Sequence, residues 1–289
     1  MTTKQITVGY DGSAPSREAV MWAAAEASTR HAHLKIVRCF DIPVGSDAMF
    51  GFSPMEAIAA ARTAVEQSLE KMQADCAADH PDLDVSTDVG DDSVLTRLVD
   101  GLGPDDLVVV GASGRRGAAA FWLGSTPRHL VGHGPCPVVV VRTCASRGSP
   151  DRVVVAVGAP EESARALSWA GDEADRHRVP LLVVHAWWYP YSDGSIASSQ
   201  ARDLTRIDAA CVVDRAIERI SQRCACECTG ELVAARPTDA ILTVVRDGDL
   251  LVLGSRGRGA LRAGVVGSTV NSVLEAVAVP VVVVRDCVT

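Results

Sequence analysis

Aromatic residues make up only 4% of this 289-residue chain, and long hydrophobic runs are missing. Apolar stretches such as Val138 to Val141 and Val281 to Val284 fall far short of the roughly 18 residues that a membrane-spanning helix needs. An excess of positive charge is also lacking. With a formal net charge of -8 and a sequence pI near 5.4, no long-range field draws in nucleic acid or an anionic membrane surface, so any phosphate binding must be local. The opening segment MTTKQITVGYDGS has no basic n-region, apolar h-region or small-residue cleavage site. A soluble, cytoplasmic protein is expected. Nine cysteines, an odd number, in a chain without an export signal argue against a disulfide framework and for reduced thiols.

What the chain does have is Val and Ala. Apolar residues reach 47%, a balance that suits helices packed closely on a β-branched sheet. At about 150 residues per domain the length predicts two domains, each able to bury its own core. The sequence then repeats. AVMWAAAEA (Ala19 to Ala27) aligns with ALSWAGDEA (Ala166 to Ala174), so Trp22 falls on Trp169 and Glu26 on Glu173. PVVVVR occurs at Pro137 to Arg142 and again at Pro280 to Arg285. TCASRGSPD, from Thr143 to Asp151, has the polar Gly/Pro/Ser character of a linker, which places the domains at residues 1–143 and 152–289.

In the first half the pattern predicts strands at Ile6 to Tyr10, Leu34 to Phe40, Leu83 to Val89, Leu107 to Gly111 and Val138 to Arg142. Helices fall at Pro15 to Arg30 and Met55 to Ala78, with others starting at Ser93 and Ser125. The second half repeats this with strands at Val153 to Val157, Leu181 to Ala186, Cys228 to Ala234, Leu250 to Gly254 and Val281 to Arg285. Its helices lie around Trp169 and from Leu204 to Ile220. Val-rich strands alternating with helices imply a parallel sheet covered on both faces, hence a doubly wound α/β fold. An apolar fifth strand at a sheet edge invites pairing, so the two PVVVVR segments are expected to join the halves as an intrachain pseudo-dimer. Whether such chains pair further into a homodimer stays open.

The repeated Gly-rich loops carry the chemistry. After its fourth strand the first half reads GASGRRGAAAFWLGST, in which Gly111 and Gly114 precede Gly124-Ser125 after nine intervening residues. GSRGRGALRAGVVGST repeats the spacing with Gly254, Gly257, Gly267 and Ser268. Glycines at a strand end allow positive φ or close backbone approach, and a GST that opens a helix leaves N–H groups pointing outward. The hydroxyls of Ser125 and Ser268 and about half a positive charge at each helix start complete an anion cradle.

These loops, with VGYDGS ahead of them, resemble the universal stress protein family over nearly the whole chain. The resemblance implies a five-stranded sheet of order 3-2-1-4-5 in each half, with a crevice between strands 1 and 4 where ligands settle. It further implies ATP, with or without Mg²⁺, bound by Gly9, Asp11, Cys39, Val110, Gly111, Gly114, Gly124, Ser125 and Thr126. In the second half the corresponding positions are Ala156, Ala186, Leu253, Gly254, Gly257, Gly267, Ser268 and Thr269. Arg115, Arg116 and Arg258 either add charge near the phosphates or are solvated loop residues. Asp11 is read either as the carboxylate that recognises ribose or adenine or as an ordinary turn residue in DGS. The second half departs from the pattern where Gly158 stands opposite Asp11.

Other chemistries find less support. Neither half has the Lys of GxxxxGK[ST], nor an SGGxDS loop, an HxGH pair or a GxSxG elbow. His129 and His133 are four apart on a helix but lack a third ligand. The Cys224–Cys226–Cys228 run reads either as a soft-metal site or, on a strand of period two, as small buried residues on one face. A regulatory nucleotide-binding module rather than a conventional enzyme is therefore expected, with slow ATP hydrolysis by positioning left open. The alternative is a dimerisation scaffold whose loops are empty.

Overall fold

The computed structural model describes residues 3–39, 54–90, 93–112, 123–142, 149–158, 163–188, 196–255 and 266–285. In the first half the order is β1 (Gln5–Gly9), α1 (Ala14–Arg30), β2 (His33–Cys39), α2 (Pro54–Asp79), β3 (Val85–Gly90), α3 (Val94–Val99), β4 (Leu107–Gly111), α4 (Ser125–His133) and β5 (Val138–Val141). The second half follows with β6 (Arg152–Ala156), α5 (Ala164–His177), β7 (Leu181–Trp187), α6 (Ile196–Ser221), β8 (Cys228–Ala234), α7 (Pro237–Val244), β9 (Asp249–Gly254), α8 (Ser268–Ala276) and β10 (Val281–Val284). Most of these elements match the pattern-based assignment within a few residues. Helix α7 does not appear in that assignment, although Pro237 at its start and the buried Ala240, Ile241 and Val244 mark it.

Local chemistry fixes the ends of the first helix in each half. Ser13 caps α1 by accepting a hydrogen bond from the Ser16 backbone N–H, and Pro15 sits in the first turn. At the other end His31 takes a left-handed conformation, φ 51°, and its N–H reaches the carbonyls of Ala27 and Ser28. Helix α5 ends the same way at Arg178, φ 57°, so the repeat extends to an uncommon backbone state.

Each half is a parallel sheet of order 3-2-1-4-5, and the two join edge to edge into a ten-stranded sheet, β3-β2-β1-β4-β5-β10-β9-β6-β7-β8. The only antiparallel pairing described is the join itself, where Val138, Val139 and Val140 face Val283, Val282 and Val281. The apolar fifth strands thus cover one another, and all eight of their valines are buried. Alternation along each strand makes two continuous apolar layers that cross from one half to the other. Ile6, Val8, Val139, Val282, Val155 and Leu181 belong to the layer under α1, α2, α5 and α6. Val108, Val140, Val283, Leu251 and Val184 belong to the layer on the opposite face. Among the described residues, no helix is long and apolar enough to cross a membrane.

Reciprocal polar contacts seal the join. Arg142, after β5, donates to the Leu274 carbonyl of α8, and Arg285, after β10, donates to the Gly134 carbonyl that ends α4, at 2.9 Å. Strand β8 begins at Cys228, where the pattern places it. Only Cys228 lies on β8, while Cys224 and Cys226 occupy the turn before it, because the chain is still leaving α6 there. All three thiols pack against the apolar layer under α5 and α6, and burial pushes Cys226 up to about 12 and Cys228 to about 11. Gly171 makes room for them, since a Cβ there would lie 2.7 Å from the Cys224 sulfur.

Candidate functional site

The crevice opens where β1 and β4 part. Their pairing runs from Ile6–Leu107 to Val8–Val109 and ends, leaving Gly9 and Val110 to diverge at the carboxyl end of the sheet. Here β2 lies on one side of β1 and β4 on the other, the switch in strand order at which α/β sheets bind ligands. The glycines around it have different reasons to be glycine. A Cβ on Gly111 would come within 2.8 Å of the Pro15 carbonyl carbon, so this position lets the first turn of α1 close on the end of β4. On Gly124 a Cβ would meet nothing nearer than Pro127 Cδ at 3.4 Å. Among the described residues these are ordinary contacts, so packing does not itself demand a glycine at 124, and the missing side chain lets a ligand approach the backbone more closely.

Gly124 also ties the loop shut at its base. Its N–H donates to the Ala112 carbonyl at 2.8 Å, while the Ala112 N–H donates to Val141 at 2.9 Å. Beyond it α4 begins without a side-chain cap, so the N–H groups of Ser125 and Thr126 face outward, while Pro127 has none. Helix α8 begins the same way after Gly267, but there Ser268, Thr269 and Val270 supply three such groups. Ser125 and Ser268 are exposed, and Thr126 and Thr269 are half-buried, so both starts present the same pair of hydroxyl side chains, and α8 adds one more N–H. Gly114, Arg115, Arg116, Gly257 and Arg258 lie outside the described residues.

Asp11 follows Tyr10 at the top of β1. Its Oδ1 accepts the Ser13 N–H at 2.9 Å and its own N–H donates to Ser16 Oγ at 3.3 Å, so it does shape the turn. A carboxylate has acceptor sites beyond one such bond, and this one is half-buried beside the crevice. Gly12, at φ +86°, allows the tight bend. Arg38 supports the turn from below, with its guanidinium over the Tyr10 ring at 5.2 Å and a hydrogen bond to Ser68 of α2. The sequence pattern does not single out Arg38, because Tyr10 and Ser68 lie far from it along the chain. Cys39 closes β2 opposite Gly90, one strand from the crevice.

In the second half the Gly158 N–H donates to Ser163 Oγ at 3.0 Å, reproducing the Asp11–Ser16 bond without a carboxylate. Its crevice also starts one residue later, because Ala156 is still paired with Leu253. Ala186 lies near the end of β7 opposite Val233, and Gly254 ends β9.

A second polar centre lies on the sheet face under α1 and α5. Glu26, Arg30, Glu173 and His177 are all nearly solvent-free. Arg30 bonds Glu26 in its own helix and Glu173 across the join, the latter at 2.5 Å. His177 Nε2 lies 3.1 Å from Glu26 and 3.2 Å from Glu173, while Arg176 also bonds Glu173. Burial alone would lower the His177 pKa, but hydrogen bonds to Glu173 and Glu26 hold it up to about 9. Burial likewise raises Glu173, with Glu26 adding to the effect. Against the opposing pull of burial, Arg30 and His177 keep Glu26 below the usual carboxylate range. Among the described residues, Glu26, Glu173 and His177 form the one trio with ligand atoms within 4.8 Å of one another. The guanidinium groups of Arg30 and Arg176 already supply positive charge to these carboxylates, which makes the trio an ion-pair cluster. His129 and His133 are exposed and stack at 4.5 Å, outside that trio.

The sequence model of the universal stress protein family matches residues 2–142 and again residues 150–285. The chain belongs to the universal stress protein family. A curated member from Mycolicibacterium smegmatis is 30% identical over 287 residues, covering 97% of this chain and 96% of that protein. Another, from Mycobacterium tuberculosis, is 29% identical with 97% of each chain covered. Among solved structures, a universal stress protein from Archaeoglobus fulgidus superposes with a TM-score of 0.68 at 18% identity and covers 99% of both chains. The family's repeated unit thus accounts for both halves of the ten-stranded sheet.

Proposed function

We propose that this chain is an adenine-nucleotide-binding regulatory module of the cytoplasm, with ATP, with or without Mg²⁺, as its ligand. Residues 1–143 and 152–289 would be its two binding units, and any ATP hydrolysis would be slow. The observation that carries this reading is the uncapped start of α4 after Gly124, on the same crevice as the Asp11 carboxylate. Donors at one end and an acceptor at the other suit a phosphate chain and a ribose or adenine edge respectively. The second half repeats the donors without the acceptor, so the first half is expected to bind more tightly. The test is direct: purify the full chain, denature it and chromatograph the released small molecules, then titrate the emptied protein with ATP by calorimetry. Adenine nucleotide release, or ATP binding that Gly124→Val weakens more than tenfold while circular dichroism is unchanged, supports the reading. Undiminished binding in folded Gly124→Val would make the loop scaffolding.

A second reading is favoured by the β5–β10 join, where eight buried valines make association the most extensive structural use of the repeat. In that reading the chain is a dimerisation scaffold. Absence of nucleotide in both measurements would select it.

A further inference from the structure

Strand β7 outruns its neighbour. Pairing with β6 ends at Ala156–Val184, yet pairing with β8 continues to Trp187–Ala234. The last residues of β7 therefore stand above the floor of the second crevice. Side chains alternate along an extended chain, so Val184, Ala186 and Trp188 share a face, the one that bears α7 and α8. Trp188 is 51% exposed, and the Arg236 guanidinium lies over its ring at 5.0 Å. Arg236 is the N-cap of α7 and is held extended, φ -64° and ψ 151°, by Pro237 after it. The guanidinium thus lies over one ring face, and about half of the Trp188 surface stays exposed.

The first half has nothing comparable at these positions. Strand register equates Leu34 with Leu181 and Val85 with Cys228, so Trp188 corresponds to Asp41 and Arg236 to Ser93. The half that lacks the Asp11 carboxylate is the half that carries an aromatic ring and a cation. Two strand spacings, about 10 Å, separate the end of β7 from the end of β9, a span suited to the ribose and phosphates of one nucleotide.

We infer that Trp188 and Arg236 form a base-stacking platform, and that the second half holds a nucleotide by stacking its base on Trp188, where the first half uses a carboxylate. This rests on the nucleotide reading above. Base–aromatic stacking tolerates any base, since every base has a π-face, and a guanidinium over the ring adds cation–π attraction. The second site is accordingly less selective for adenine than the first.

The experiment uses the full chain with the first site disabled by Asp11→Ala and Gly124→Val together. ATP and inorganic tripolyphosphate, which has no base, are titrated separately by calorimetry. Adding Trp188→Ala should weaken ATP about tenfold or more and leave tripolyphosphate unchanged. Trp188→Phe should keep most of the ATP affinity, and Arg236→Ala should lose part of it. Equal ATP affinity with and without Trp188, or equal loss for both ligands, overturns the platform. If the wild-type chain binds ATP and the Asp11/Gly124 double variant binds none, the nucleotide reading stands and the platform falls. If the wild-type chain binds no nucleotide, both fall together.

Discussion

The two halves of this chain repeat one fold but not one site. Strand order, the uncapped starts of α4 and α8, the glycines that precede them, and even the left-handed residue ending α1 and α5 recur. The side chains around each crevice do not. Asp11 corresponds to Gly158, Pro127 to Val270, and the arginine-backed Trp188 stands where the first half has Asp41. The join constrains the scaffold, because both apolar layers run through it. A duplicated fold can therefore keep its core while each site drifts toward its own ligand chemistry.

If the halves form one stability unit, the largest effect should come from the shared ion cluster. Glu173→Ala leaves Glu26 as the one carboxylate between buried Arg30 and His177, and the positive charge left uncompensated costs about 3–5 kcal/mol. Urea denaturation should show one transition shifted to a lower midpoint. Two separate transitions, with one half unaffected, would break the comparison. Replacing Glu26, Arg30, Glu173 and His177 together by Leu or Met should recover most of the loss, because well-packed apolar groups often match a buried ion pair.

A pH series addresses the same cluster. The folded His177 pKa is raised, from 6.5 to about 9, so protonated His177 stabilises the fold. That contribution is complete below pH about 6.5 and disappears as pH rises through about 9. Glu26, Glu173, Arg30 and Arg176 face this ring, and Ser149 Oγ lies 2.9 Å from its Nδ1. At most about 3 kcal/mol is at stake. His177→Gln should lower the urea midpoint at pH 6 and flatten its decline toward pH 9.5; an unchanged slope would show that the imidazole is not the titrating group.

Binding asymmetry comes next in size. Asp11→Ala should weaken ATP at the first site about ten- to a hundredfold, the loss of one charge-assisted hydrogen bond. The reverse change sharpens the comparison: among the described residues a Cβ at Gly158 would meet nothing nearer than Ser163 Oγ at 4.0 Å, so Gly158→Asp is the variant to make. Calorimetry on the full chain should show the weaker site gaining about tenfold. No gain in a folded variant would mean that the carboxylate does not set the difference between the sites.

The smallest effect belongs to the outer helix faces. Leu204 and Ile207 are 64% and 54% exposed on α6, where matching burial patterns place Ala60 and Thr63 on α2. Leu204→Ala with Ile207→Thr should shift stability by less than about 0.5 kcal/mol per substitution. A larger change would show that this face is covered.

The sequence by itself determined the elements and the symmetry. Period-two valines mark strands, a Ser–Pro pair marks the start of α1, and repeated glycines locate the loops, because each of these signals is local and acts through the backbone. It also located the two fifth strands, since an apolar parallel edge has to be covered. The role of the individual glycines was not readable: Gly111 and Gly124 look alike in GASG and GST, and only the approach of Pro15 marks Gly111 as the packing requirement. The Cys224 to Cys228 spacing suggested a strand because period two cannot distinguish a strand from the turn that precedes one. Glu26 and Glu173 stood out as a repeated pair, but their partnership with Arg30 and His177 spans up to 151 residues of chain. Only the tertiary structure decided that contact, because it exists once β5 meets β10 and brings α1 against α5. The Trp188–Arg236 stack is of the same kind, assembled from a strand end and a helix start that adjoin only when the sheet is complete.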